Sequence, residues 1–123
     1  MILADTSVWI EHLHAGAPAA PLVRLLEDGE VVAHPWVVAE LALGNLGPRR
    51  GEVLADLDRL LELVVVADRE VRQLIEARRL HGRGLGWVDA HLLASCLVSG
   101  TELWTLDGPL ARAARACDVA AAP

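Results

Sequence analysis

The stretch "MILADTSVWIEHL" (residues 1–13) decides how the rest of the chain is read. Ile2, Leu3 and Ala4 make a short apolar run that stops at an acid, Asp5. Thr6 and Ser7 follow, and then the apolar spacing turns helical. A buried strand over residues 2–4 that hands over to a helix over 7–14 fits this pattern. Asp, Thr and Ser are favoured at such a junction, because a side-chain oxygen can accept a backbone N–H left unpaired in the first helical turn. Capping alone accounts for Asp5, unless other acids in the chain stand where they could share a ligand with it.

Working outward, short apolar runs alternate with helical spacing. "VVAH" (31–34) lies between the Asp28-Gly29 turn and Pro35 and is expected to be a strand. "LVVVA" (63–67) is expected to be a third, and "ELWTLD" (102–107) a fourth that ends in Asp107-Gly108. Between them, Leu22, Leu25 and Leu26 share one helical face, and Pro35 opens a helix expected to run to near Gly47-Pro48. Further helices are expected from about Glu52 to Leu63, from Asp68 as cap, over "VDAHLLASCLVSG" (88–100) and over "PLARAARAC" (109–117). "AGAPAAP" (15–21) reads as a turn, "GPRRG" (47–51) as the most obvious loop, and "HGRGLGW" (81–87) as a glycine-rich connection. The final tail is a candidate edge strand. Strands that alternate with helices imply a parallel sheet covered on both faces. The expectation is one three-layer α/β domain over residues 1–123, its sheet of four or five short strands flanked by helices.

Composition narrows the functional classes. The chain has 123 residues and is 54% hydrophobic, above the usual range of about 45–50%, which implies a well-buried sheet, a subunit interface or both. No apolar run approaches the roughly 18 residues of a membrane span, and no basic segment leads into an apolar one at the start. A cytoplasmic protein with no membrane association is expected. Cys96 and Cys117 lack C-x-x-C spacing and are expected to be reduced thiols in apolar surroundings. The net charge of −6 argues against binding nucleic acid through bulk positive charge. It does not exclude a nuclease, whose metal-binding acids make its site negative until the ion arrives.

In an open parallel sheet, ligands bind beyond the carboxyl ends of the strands. Asp5 and Asp107 both stand at such ends, although a cap and an Asp-Gly turn would explain them singly. Glu40 lies within "WVVAELALGNL" (36–46), where apolar neighbours make a lone carboxylate costly unless an Arg or a cation meets it. Asp89 opens an apolar helix, where the helix dipole alone could favour it. One divalent cation accounts for all four placements. Hard oxygen ligands with no nearby Cys/His cluster point to Mg²⁺ or Mn²⁺.

The ordered set "DTSVWI", a helical "AEL" containing Glu40, "DAHLLAS" and "LWTLD" resembles the PIN-domain ribonucleases. The chain length and "GRGLGWVDAHLLAS" (82–95) resemble the VapC-type toxins of toxin–antitoxin pairs, and the resemblance covers essentially the whole chain. It implies catalytic and metal-holding roles for Asp5, Glu40, Asp89 and Asp107, with Thr6 and Thr105 in support. It also implies Mg²⁺- or Mn²⁺-dependent endoribonuclease hydrolysis of RNA, an antitoxin partner and a homodimer.

Rival readings meet specific obstacles. A phosphoacceptor receiver domain needs a Lys, and all 11 basic residues here are Arg. A phosphatase of the haloacid dehalogenase type needs an Asp where Ser7 stands. A metal-free module that kept the fold for dimerisation and partner binding has no reason to keep four unpaired carboxylates. No Ser-His-Asp or Cys-His set suggests a nucleophilic side chain, and the scattered His residues do not suggest zinc. Phosphate contacts would come from among Arg49, Arg50, Arg78, Arg79, Arg83, Arg112 and Arg115, which are otherwise a solvated surface. Trp9, Trp36 and Trp104 fall in core-like patterns, leaving Trp87 as the candidate for stacking on a base.

Overall fold

A computed structural model describes residues 1–14 and 20–123; most of the turn expected over 15–21 lies outside them. Strand β1 (Ile2–Ala4) is central, with β2 (Val31–Val32) on one side and β3 (Glu102–Trp104) on the other, all parallel. Residues of β1 are paired on both sides and covered on both faces, so Leu3 and Ala4 are fully buried. That is why this strand reads as a continuous apolar run rather than an alternating one.

Each outer edge is extended by one isolated bridge, Ala33 to Glu62 and Leu103 to Ala120, both parallel. Among the described residues, the expected four or five strands are therefore three strands and two single-residue edges. The strand expected over 63–67 is a correction. Pairing is centred on Glu62, with Ala33 N–H donating to the Leu61 carbonyl and Leu63 N–H to the Ala33 carbonyl, both at 2.8 Å. Beyond that point β2 has already ended, because Pro35 starts a helix and leaves no strand to pair with. Val64 and Val65 are consequently exposed rather than core residues.

The helices are α1 (Thr6–His14), α2 (Ala20–Glu27), α3 (Pro35–Leu43), α4 (Arg50–Asp58), α5 (Asp68–Arg78), α6 (Trp87–Ser99) and α7 (Gly108–Ala116). α3 stops short of the expected Gly47-Pro48, since Gly44 N–H closes onto the Glu40 and Leu41 carbonyls. "GPRRG" is not a loop: Gly47–Arg49 form a 3-10 turn that runs into α4, with Gly47 at a φ of 68°. α4 ends at Asp58 instead of Leu63, because residues 61–63 are drawn into the sheet edge. Asp68 is not the cap of α5; Ala67 holds that position, and the Asp68 side chain turns to His91.

α6 is the central helix, with every residue from Ala90 to Cys96 buried. Gly100, at a φ of 66°, ends it in a left-handed turn that L side chains adopt only with strain. α6 leads directly into β3 and runs back against it. Its first turn therefore sits at the carboxyl end of the sheet. A buried polar ladder locks α6 to the other edge: Ser95 Oγ donates to the Val64 carbonyl and lies 3.0 Å from His34 Nε2. The serine proton is spent on Val64, so the His34 Nε2 carries the hydrogen, and Nδ1 accepts from Trp36 N–H as the cap of α3. Burial, with His91 nearby, lowers the His34 pKa to about 4, which keeps the ring neutral in this role. Both cysteines are free and buried, and burial pushes the Cys96 thiol up to about 12. Among the described residues no helix is long and apolar enough to cross a membrane.

Candidate active site

Sheet register brings the first two acids together. Ala4 pairs with Trp104, so the residues that follow, Asp5 and Thr105, leave the sheet side by side, with Asp5 N–H donating to the Trp104 carbonyl at 3.0 Å. The Asp5 side chain is buried and both of its oxygens are engaged. Oδ1 accepts from Ser7 Oγ at 2.5 Å and from Val8 N–H at 3.3 Å, and Oδ2 accepts from Thr105 Oγ at 2.5 Å. Asp5 is thus a helix cap as well as the centre of a hydroxyl clamp.

The two hydroxyls also hold the 105–107 loop. Leu106 N–H donates to Ser7 Oγ at 2.9 Å and Asp107 N–H to Thr105 Oγ at 3.0 Å. Asp107 then caps α7, its Oδ2 accepting from Leu110 N–H at 3.1 Å. Thr105 therefore ties Asp5 to the backbone that carries Asp107. Ser7 does more than the cap its sequence position suggested, and nothing local to the sequence signals this because its loop partner is 99 positions away.

Asp89 enters from α6. Its Oδ2 accepts from Gly86 N–H at 2.9 Å. Its pKa is raised, mainly by burial, with the charges of Asp107 and Asp5 adding to the effect and the Gly86 hydrogen bond opposing it. Asp5, Asp89 and Asp107 therefore lie within electrostatic reach of one another. Glu40 joins through α3: Thr6 Oγ donates to its Oε1 at 3.0 Å, and Thr6 is the neighbour of Asp5. Glu40 is exposed, not buried as its apolar neighbours suggested, because α3 buries Val37 and Leu41 and leaves the Glu40 side open.

Asp89, Asp107 and Glu40 each spend one oxygen on these contacts. Their second oxygens (Asp89 Oδ1, Asp107 Oδ1 and Glu40 Oε2) have no hydrogen-bond partner among the described residues. Three ion pairs found among the described residues, Arg49–Glu52, Arg59–Asp56 and His91–Asp68, involve none of the four acids. Among the described residues, no three His, Cys, Asp or Glu side chains are drawn into a ligating cluster. A set of separated, unneutralised carboxylates with hydroxyls beside them fits a hard divalent ion that keeps several of its waters.

The raised pKa of Asp89 gives a stability prediction with a definite sign. A carboxyl whose folded pKa lies above its unfolded value leaves stability untouched below the unfolded pKa and reduces it as pH rises above that value. Asp89→Asn keeps an oxygen for Gly86 N–H and removes the charge. In EDTA at neutral pH it is expected to stabilise the fold by about 0.5 kcal/mol, the scale left to a partly buried charge after solvent screening. The gain should fade as pH is lowered toward the usual carboxylate range. Denaturant melts of both proteins across that range check it; a variant less stable than wild type at neutral pH would contradict the like-charge cluster.

Against known proteins, the PIN domain family matches residues 2–116. Ribonuclease VapC32 of Mycobacterium tuberculosis is 52% identical over 123 residues, covering 99% of this chain and 97% of that protein. Among solved structures, PAE2754 from Pyrobaculum aerophilum superposes with a TM-score of 0.67 at 20% identity, over 98% of this chain and 87% of that one. FitAcB from Neisseria gonorrhoeae gives a TM-score of 0.63 at 24% identity, over 98% and 95%. These structural likenesses concern the fold.

Proposed function

This chain belongs to the PIN-domain family and is a homologue of the VapC ribonucleases, and from that premise we propose that it is a metal-dependent endoribonuclease acting as the toxin of a toxin–antitoxin pair. The single observation that carries the reading is the set of four acids at the carboxyl end of the sheet, three within electrostatic reach of one another and none neutralised by an Arg or His among the described residues. Such a set at a strand-end crevice is costly without a counter-ion.

Asp5, Asp89, Asp107 and Glu40 are the residues that would hold Mg²⁺ or Mn²⁺. Bound there, such an ion would neutralise a phosphoryl oxygen and lower the pKa of a water. The protein supplies the rest. Ser7 and Thr105 fix the Asp5 carboxylate, Thr6 fixes Glu40, and the Thr105 bond to Asp107 N–H sets the position of Asp107. These contacts set the geometry in advance, so no reorganisation is needed when substrate arrives. Hydroxyls suit this role because they orient a carboxylate without cancelling its charge.

A basic side chain from an antitoxin would be drawn to the same uncompensated acids. A homodimer would cover apolar side chains left exposed, including Leu43, Leu61, Val64 and Val98. Both partners, like a cytoplasmic location, belong to the VapC reading. The test is RNA cleavage by purified, antitoxin-free protein. Cleavage is expected with Mg²⁺ or Mn²⁺ and should stop in EDTA. Cleavage that persists in EDTA would remove the metal from the mechanism, and none under any condition would favour a binding module.

A further inference from the structure

Asp5, Asp107 and Glu40 are tied together through hydroxyls: Thr105 joins Asp5 to the backbone of Asp107, and Thr6, next to Asp5, holds Glu40. Asp89 is held differently. Its Oδ2 accepts from Gly86 N–H at 2.9 Å, and that N–H belongs to the peptide joining Leu85 to Gly86. Its direction is therefore set by the glycine-rich loop that enters α6. The first turn of α6 has its own support: the buried His91 ring meets Trp87 edge-to-face at 4.7 Å and packs against Trp36 at 4.1 Å, with its Nε2 3.1 Å from Asp68 Oδ1. That stack fixes the helix and leaves the loop before it unaccounted for.

Residues 81–85 lie outside any helix or strand, and the side chains of His81 and Arg83 make no hydrogen bond or ion pair among the described residues. Towards α5 the loop borders a cavity of about 240 Å³, lined by Ile75, Leu80, Gly82 and Leu85 among others. Leu85 packs against the main core, and Gly84 faces Pro109 in the first turn of α7. A methyl group on Gly84 would stand 3.6 Å from Pro109 Cγ and 3.7 Å from its Cβ, ordinary contact distances, whereas one on Gly82 would meet nothing within 4 Å. Both glycines have positive φ, 72° at Gly82 and 79° at Gly84, so any Cβ is strained at either. They differ in that Gly84 has a neighbour and Gly82 has none.

We propose that Pro109 is a positioning residue for Asp89: its ring braces the loop at Gly84, which fixes the Gly86 N–H that holds the Asp89 carboxylate. The inference rests on the metal-dependent nuclease reading, in which Asp89 is a metal-holding acid. Pro109 lies two residues after Asp107, which caps the same helical turn through Leu110 N–H. The brace therefore couples Asp89 to the segment that carries Asp107, as Thr105 couples Asp5 to it. Proline suits the place. It is pre-shaped for the first position of a helix, and its ring has almost no rotamer freedom to lose when it packs against the loop.

Two measurements on the intact protein test it. Amide hydrogen exchange by NMR in metal-free protein follows Gly86 N–H, with Asp5 N–H, bonded to the Trp104 carbonyl in the sheet, as internal reference. Calorimetric titration of Mn²⁺ then gives the metal affinity of the same samples. Pro109→Ala is expected to speed exchange at Gly86 and not at Asp5. It should also weaken Mn²⁺ binding about 10-fold, the lower end of the effect of losing a group that orients a metal ligand. Pro109→Val restores carbons at the Cβ and Cγ positions without the fixed φ of proline, and should recover most of both. Gly82→Ala strains the same loop without touching the contact, and should leave both at the wild-type values. Wild-type Gly86 exchange and Mn²⁺ affinity in Pro109→Ala would overturn the brace, as would exchange that rises equally at Asp5. A Pro109→Val that behaves like Pro109→Ala would overturn it too, reducing the proline to a helix starter, and equal losses in Gly82→Ala would trace the effect to loop strain instead. If wild type binds no Mn²⁺, the metal reading falls, and Gly86 exchange in Pro109→Ala still decides whether the brace holds.

Discussion

Asp5→Asn is expected to fold and to lose RNA cleavage by roughly a thousandfold. Its carboxylate is the one acid held on both oxygens, by Ser7, Val8 N–H and Thr105. The substitution keeps the shape and removes the charge. Thr105 Oγ can reverse its role and accept from the new amide, so the local network survives at modest cost. What is lost is charge aimed at the cation, and several kcal/mol of transition-state stabilisation is the scale such an ion supplies. At about 1.4 kcal/mol per factor of ten, that is roughly three decades of rate. Cleavage assays in Mn²⁺ at matched folded fraction measure it, and an active Asp5→Asn would remove Asp5 from the chemistry.

Thr105→Val is expected to give the second-largest effect, on stability and rate together. The valine keeps the volume but cannot donate to Asp5 Oδ2 or accept from Asp107 N–H. Losing a hydrogen bond to a charged group costs about 1.5–3 kcal/mol. Freeing Asp5 and Asp107 at once should cost about 10- to 100-fold in activity or metal affinity, the usual effect of removing a group that orients a ligand. Thr105→Ser, which restores the hydroxyl, should recover most of both. If Thr105→Val melts like wild type and cleaves at the wild-type rate, the clamp has no role.

Local pattern carried the overall architecture. The run Ile2–Ala4 before Asp5 is a buried central strand because only such a strand is apolar on both faces, and among the described residues seven helices form where the spacing implied them. What failed was set by tertiary limits. The apolar run 63–67 has strand composition, but β2 ends at Pro35 and offers nothing to pair beyond Ala33. The 52–63 periodicity continues past Asp58, yet the sheet edge takes its last residues. Glu40 looked buried from its neighbours, but α3 is covered on one side only. The acids at the sheet ends were visible because strand ends and helix starts are local features. The double role of Ser7, the Ser95–His34 ladder and the Trp36–His91–Trp87 stack were not, since each joins residues distant in sequence.

The most direct test of a shared cation is the melting temperature as Mn²⁺ is titrated into EDTA-stripped protein. Binding to the native state stabilises by RT ln(1 + [L]/Kd), about 2.7 kcal/mol at a hundredfold excess over Kd. For a chain of this length that is a rise of roughly 10 °C. Wild type should show it, and Asp5→Asn and Asp89→Asn should each show a clearly smaller shift over the same titration. A wild type whose melting temperature does not move, or variants that shift as far as wild type, would contradict a metal centre built from these acids.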